Sequence, residues 1–181
     1  MGNRLILASL KKTILICVIA ILLGIGIGII IESNFPSNYQ FAILYEEDIF
    51  QNNITVLFNS IKNGFISFGI YSLFFATSYG KIVGHGIVVL FRDYGMKGVV
   101  LGFFPHALIE TSCCLCATIL PVFCWYAVLN VFIRKSNINK WMAMIRIMAI
   151  VVVLVLLVVL LCVLAAHIEY YISEMYWMNE Y

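Results

Sequence analysis

Ile147–Ala166 carries no charged side chain and is built almost wholly of Val, Leu, Ile and Ala. At about 1.5 Å per residue such a helix crosses a hydrocarbon layer of roughly 30 Å. In lipid every backbone donor and acceptor must be satisfied inside the protein, which restricts spanning segments to helices or closed barrels. The rest of the chain follows the same regime. Of 181 residues, 64% are hydrophobic and 11% charged, against about a quarter charged in soluble domains. The composition predicts an all-α integral membrane protein with a single transmembrane domain over 1–181 and no separate soluble domain. A net charge of +2 gives no argument for a nucleic-acid partner; membrane lipid is the expected surrounding.

Charge placement predicts the topology. Met1–Lys12 is basic, with Arg4, Lys11 and Lys12, and Thr13–Ile31 then runs without a charge. No small-residue cleavage site follows Ile31, so the expectation is a retained first span. Glu32–Ile49 holds Glu32, Glu46, Glu47 and Asp48 and no base, whereas Arg134, Lys135, Lys140 and Arg146 form a basic loop without an acid. The positive-inside rule places the N-terminus and the basic loop in the cytoplasm and the tail, with Glu169, Glu174 and Glu180, outside. The basic loop is the natural cytoplasmic contact for a partner.

About five membrane segments are expected. Phe50–Ile61 reads as an interfacial helix with Phe50, Ile54, Leu57, Phe58 and Ile61 on one side, followed by a descent through Gly64–Tyr79; one long tilted helix is the alternative. Ile82–Phe91 is too short to span and reads as a half-helix or re-entrant segment. Gly98–Ile133 contains no base and only one acid, Glu110, and is broken by Pro105 and Pro121. Pro105 suits a first helical turn, with Gly98–Phe104 as a lead-in arm, and Pro121 kinks or ends the helix.

The six cysteines, Cys17, Cys113, Cys114, Cys116, Cys124 and Cys162, all lie in apolar runs. A CCxC spacing without a second cluster is read as packed thiols; no metal or other cofactor is expected. Ionisable groups at membrane depth are expensive and point to function. His106 and Glu110 are four apart and share a helical face. Three uses stay open. The two residues, with Asn52 or Asn53, can lock helices together; they can line a binding site or transport pathway; or, with His85, they can serve as acid, base or metal ligands. His85 lies between Gly84 and Gly86, where backbone approach is easy. No serine nucleophile motif, HExxH or nucleotide loop is present, so any energy source belongs to a partner.

Phe50–Asn53 (FQNN), the glycines Gly64 and Gly69, Gly80–Gly86 (GKIVGHG) and Pro105–Glu110 (PHALIE) together resemble the stage II sporulation protein M family over 50–121. PHxxxE is the specific part; Ala107 and Lys81 stand where that family usually has glycine. The resemblance implies a multi-span membrane protein working within a complex. In the sporulation member this is a scaffold for cell-wall hydrolases. In small relatives it is maturation, export or immunity of circular bacteriocins beside a separate ATPase. The second setting fits this chain's size. Expected partners are therefore an ATPase, other membrane subunits and a small hydrophobic peptide. An intramembrane hydrolase or peptide cyclase using His106 and Glu110 is the alternative.

Overall fold

A computed structural model describes residues 2–37, 46–133 and 139–177. The described residues are helical almost throughout: α1 (Gly2–Asn34), α2 (Glu46–Ile66), α3 (Ile70–Lys97), a π-helical stretch (Gly98–Phe103), α4 (Phe104–Ile133) and α5 (Lys140–Trp177). Three stretches are long and apolar enough to cross a membrane, Arg4–Asn34, Ile70–Ile133 and Lys140–Ile172. By that measure the expected five segments are not reached. The polar residues of α2 keep it out, and α3 and α4 fall within one apolar stretch.

The seam between α1 and α3 fixes the arrangement. A Cβ added to Gly24 would fall on the carbonyl oxygen of Thr77, and one on Gly28 would meet that of Lys81. Reciprocally, a Cβ on Gly80 would strike the carbonyl of Ile21, and one on Gly84 that of Ile25. Gly24-x-x-x-Gly28 and Gly80-x-x-x-Gly84 thus face each other, with partners advancing together along both helices. α1 and α3 run parallel, close enough for backbone-to-backbone contact, as small-xxx-small motifs permit.

This support explains why Ile82–Phe91 is not a half-helix. It is the continuous later part of α3, its backbone packed on α1 through Gly84. Lys81 does not interrupt the helix, because its side chain is exposed while its backbone faces Gly28. α3 loses helical geometry only at Gly95, where φ is +64°.

α2 also differs from expectation. It is not part of one long helix, because α2 ends at Ile66. The chain reverses at Ser67–Gly69, with Phe68 at φ 56° and Gly69 at φ 88°. Glycine takes that conformation freely; for Phe68 it is a strained choice that its surroundings must hold. Gly69 N donates to Gly64 O (2.7 Å), and Ser67 Oγ accepts from Tyr71 N (2.9 Å), capping the start of α3. Trp125 on α4 donates its indole N–H to Phe65 O at 2.9 Å, and its ring lies 4.4 Å from that of Phe68. The stripe of Phe50, Ile54, Leu57 and Ile61 turns inward onto Cys113, Cys114, Ala117, Val158 and Cys162 of α4 and α5, leaving Phe58 outside.

α3 and α4 fold back on each other: Gly86 lies beside Phe103, Tyr79 beside Glu110, and Gly69 beside Val122. Pro105 sits in the first turn of α4, as expected, but its lead-in is the π-helical stretch rather than an open arm. Pro121 is buried inside α4 without ending it, its ring fitted against Gly64. α5 runs antiparallel to α4, with Cys113 Sγ donating to Val158 O (3.2 Å) and 3.3 Å from Cys162 Sγ. At the other end Ile6, Phe123, Ala127, Val131, Ala143 and Ile147 join α1, α4 and α5 in a second core.

The seam predicts a sharp contrast between neighbouring glycines. Gly28→Val should destabilise the protein by about 1–3 kcal/mol through overpacking. Gly26→Ala, whose added Cβ meets nothing within 4 Å, should be neutral or slightly stabilising. Thermal unfolding in detergent, read by size-exclusion chromatography after heating, compares the two; equal behaviour would exclude the seam.

Candidate functional site

The first polar cluster is built around Glu110, one turn beyond His106 on α4. The i, i+4 spacing puts both on one face, but they make no hydrogen bond to each other. Glu110 reaches across to other helices. Its Oε1 accepts from Asn53 Nδ2 on α2 at 2.8 Å, and its Oε2 accepts from Tyr79 Oη on α3 at 3.3 Å. Both carboxylate oxygens are thus engaged by protein donors, and one side chain ties three helices.

His106 is half-buried, its ring edge-on to Phe103 with 5.2 Å between centroids. Its Nδ1 is buried without a hydrogen bond among the described residues. Asn52, the neighbour of Asn53, is exposed. Of the residues singled out in the sequence, the structure therefore joins Asn53 to Glu110 and keeps His106 beside them. Asn52 and His85 lie elsewhere.

His85 belongs to a second cluster at the end of α1. Its Nδ1 is 2.9 Å from Glu32 Oε2, while Arg92 Nη1 donates to Glu32 Oε1 at 3.1 Å. Ser37 N donates to the same Oε1 at 2.9 Å, and Arg92 Nη2 donates to Ser37 O at 3.2 Å. Ser37 Oγ is 3.5 Å from His85 Nε2, and Arg92 Nε bonds Asp93 Oδ1 at 2.9 Å. The Glu32 side chain is only 1% exposed. A carboxylate so enclosed needs polar partners from every side, and the Arg92 guanidinium, the His85 ring and one backbone N–H supply them.

Sequence reasoning missed Glu32, Arg92 and Tyr79. Glu32 read as the first residue of an acidic stretch, and Arg92 lies just beyond the short segment that ends at Phe91. Only the α1–α3 seam brings them together, and the sequence signal for it was the repeated glycine spacing on both helices. Tyr79 had no signal beyond its place in an apolar helix.

No group of three His, Cys, Asp or Glu among the described residues is arranged to hold a metal ion. His85 pairs with Glu32 instead of completing a set with His106 and Glu110. Of the basic-loop residues, Arg134 and Lys135 lie outside the described residues. Lys140 Nζ stands 5.4 Å from the centroid of the Phe132 ring, and Arg146 is exposed on α5.

The geometry predicts energetic coupling between α2 and α4. In a double-mutant cycle, Asn53→Ala and Glu110→Ala should be non-additive by about 0.6 kcal/mol, with an upper bound of about 1.7 kcal/mol, as for polar pairs in membrane bundles. Reversible unfolding in mixed micelles measures it; strict additivity would mean the bond is not formed.

A family model described as Stage II sporulation protein M matches residues 32–174. The matched region opens at Glu32 and contains both clusters, extending beyond the 50–121 core that carried the resemblance. No curated protein and no solved structure matches the chain.

Proposed function

The chain belongs to the stage II sporulation protein M family, and from that premise we propose that it is a non-enzymatic, multi-pass membrane subunit of a bacterial complex. The complex matures, exports or gives immunity to a small hydrophobic peptide of the circular bacteriocin type, and a separate ATPase supplies the energy. The observation that carries this reading is the Glu110 tie. Each carboxylate oxygen accepts a hydrogen bond from a different helix, Oε1 from Asn53 on α2 and Oε2 from Tyr79 on α3, so the group is held between three helices. The arrangement suits holding and positioning helices.

In this reading the basic ends of α1 and α5 face the cytoplasm and the tail lies outside. α2 enters from the acidic side, and the Ser67–Gly69 turn, beside Trp125 and Val122 of α4, reverses it within the bundle. Irregular backbone at that depth is tolerated because it is enclosed by protein. His106, with its buried ring nitrogen beside the tie, is the contact point for cargo. Arg134, Lys135, Lys140 and Arg146 form the basic rim that meets the ATPase.

Glu110→Gln separates the tie from the charge, because an amide also bonds to Asn53 and Tyr79. The variant should assemble at wild-type level while peptide release and producer resistance fall by about fivefold or more, the margin of a charge-assisted hydrogen bond over a neutral one. Unchanged release and resistance, with normal assembly, would remove Glu110 from the pathway.

A further inference from the structure

The face of α2 turned away from the bundle carries Asp48, Asn52, Thr55, Asn59 and Lys62, and all five are exposed. None of them makes a side-chain hydrogen bond or ion pair among the described residues. Val56 and Phe58, also exposed, flank this line on either side. Leu57, Ser60 and Gly64 are buried on the opposite side of the helix, as 3.6 residues per turn requires.

α2 runs alongside α4 in the same direction, with Asn53 at Glu110, Gly64 at Pro121 and Phe65 at Trp125. Lys62 is therefore level with the middle of α4, about 20 Å from either end of that helix at 1.5 Å per residue. α4 belongs to a stretch long and apolar enough to cross a membrane. Polar side chains at such depth face protein or water rather than lipid. The stripe lies on the outer, convex side of its helix, where this chain supplies no second wall to hold water. A second protein surface must cover it.

The residue order selects that surface. Asp48, Asn52, Thr55, Asn59 and Lys62 follow one another at intervals of four, three, four and three, the 3.5-residue repeat that keeps one seam facing a parallel neighbour. Two copies sharing one topology, related by a two-fold axis along the membrane normal, set their α2 helices parallel and bring each seam residue to its own counterpart. An amide and a hydroxyl each donate and accept, so Asn52, Thr55 and Asn59 are self-complementary. We propose that two copies of this chain pair in the membrane through this seam, with Asn52, Thr55 and Asn59 of each meeting the same residues of the other. Lys62 meets a like charge, and its long stem carries the ammonium out of the seam at a cost in affinity.

Sedimentation equilibrium of the purified full-length protein in density-matched micelles tests this. Wild type should show a monomer–dimer equilibrium. The double variant Asn52→Leu with Asn59→Leu should raise its dissociation constant about fivefold or more, the margin of two interhelical polar pairs. Lys62→Met should lower it severalfold by removing the like charge, and Val56→Leu, off the seam, should leave it unchanged. All four positions are exposed, so the fold does not depend on them. As a geometric check, copies carrying Thr55→Cys should join by a disulfide on mild oxidation above the wild-type background, and copies carrying Phe58→Cys should not. Wild type that stays monomeric at every concentration overturns the proposal, as does a dimer that the Asn52→Leu, Asn59→Leu variant leaves unchanged. A weaker dimer in Lys62→Met would place an acid against Lys62 and overturn the like-to-like register. Equal cross-linking from Thr55→Cys and Phe58→Cys would move the contact off the seam and overturn it too.

Discussion

The backbone contact between α1 and α3 is the constraint on which the other features rest. Lipid supplies no hydrophobic force to press apolar helices together, so association depends on close packing and on polar ties. Gly24, Gly28, Gly80 and Gly84 remove the side chains that would hold the two helices apart. Once α3 lies parallel to α1, its far end brings His85 and Arg92 to Glu32. Its opposite face turns Tyr79 toward α4. Without the seam neither polar cluster forms.

The two clusters solve one physical problem differently. Glu32 is met at a helix end by the Arg92 guanidinium, the His85 ring and a backbone N–H. Glu110 lies inside the bundle and is met by neutral donors, an amide and a phenol. Those hydrogen bonds satisfy a group that would be costly to leave unpaired inside the bundle, and they fix the orientation of the helices. The strained turn at Phe68 is held in turn by Trp125, whose indole N–H bonds the end of α2 and whose ring packs at a tilt against that of Phe68. α1, α2, α3 and α4 are thus held by close packing, a helix-reversing turn and a polar tie.

Much of this was legible in the residues. Val- and Leu-rich runs marked the spans, Pro105 marked the start of α4, and a lock between an α2 asparagine and Glu110 was one of three uses left open by the cost of isolated polar groups in lipid. The reversal at Ser67–Gly69 was not legible, because Phe68 adopts a conformation that its residue type does not advertise and Gly69 alone is an ambiguous signal. Ile82–Phe91 looked too short because its length was counted between polar residues; Lys81 points outward and does not break the helix. His85 found its partner, Glu32, across a long-range contact that spacing within one helix cannot reveal. The glycine repeats held that information, but only as a pair.

The central claim is that this protein acts by holding partners rather than by catalysis. The direct measurement is a pull-down in mild detergent from native membranes, with mass spectrometry of the bound proteins and peptides. Stoichiometric recovery of an ATPase together with a small hydrophobic peptide is the predicted result. Recovery of the protein alone, as a preparation that cleaves or cyclises a precursor peptide without other subunits, would contradict it.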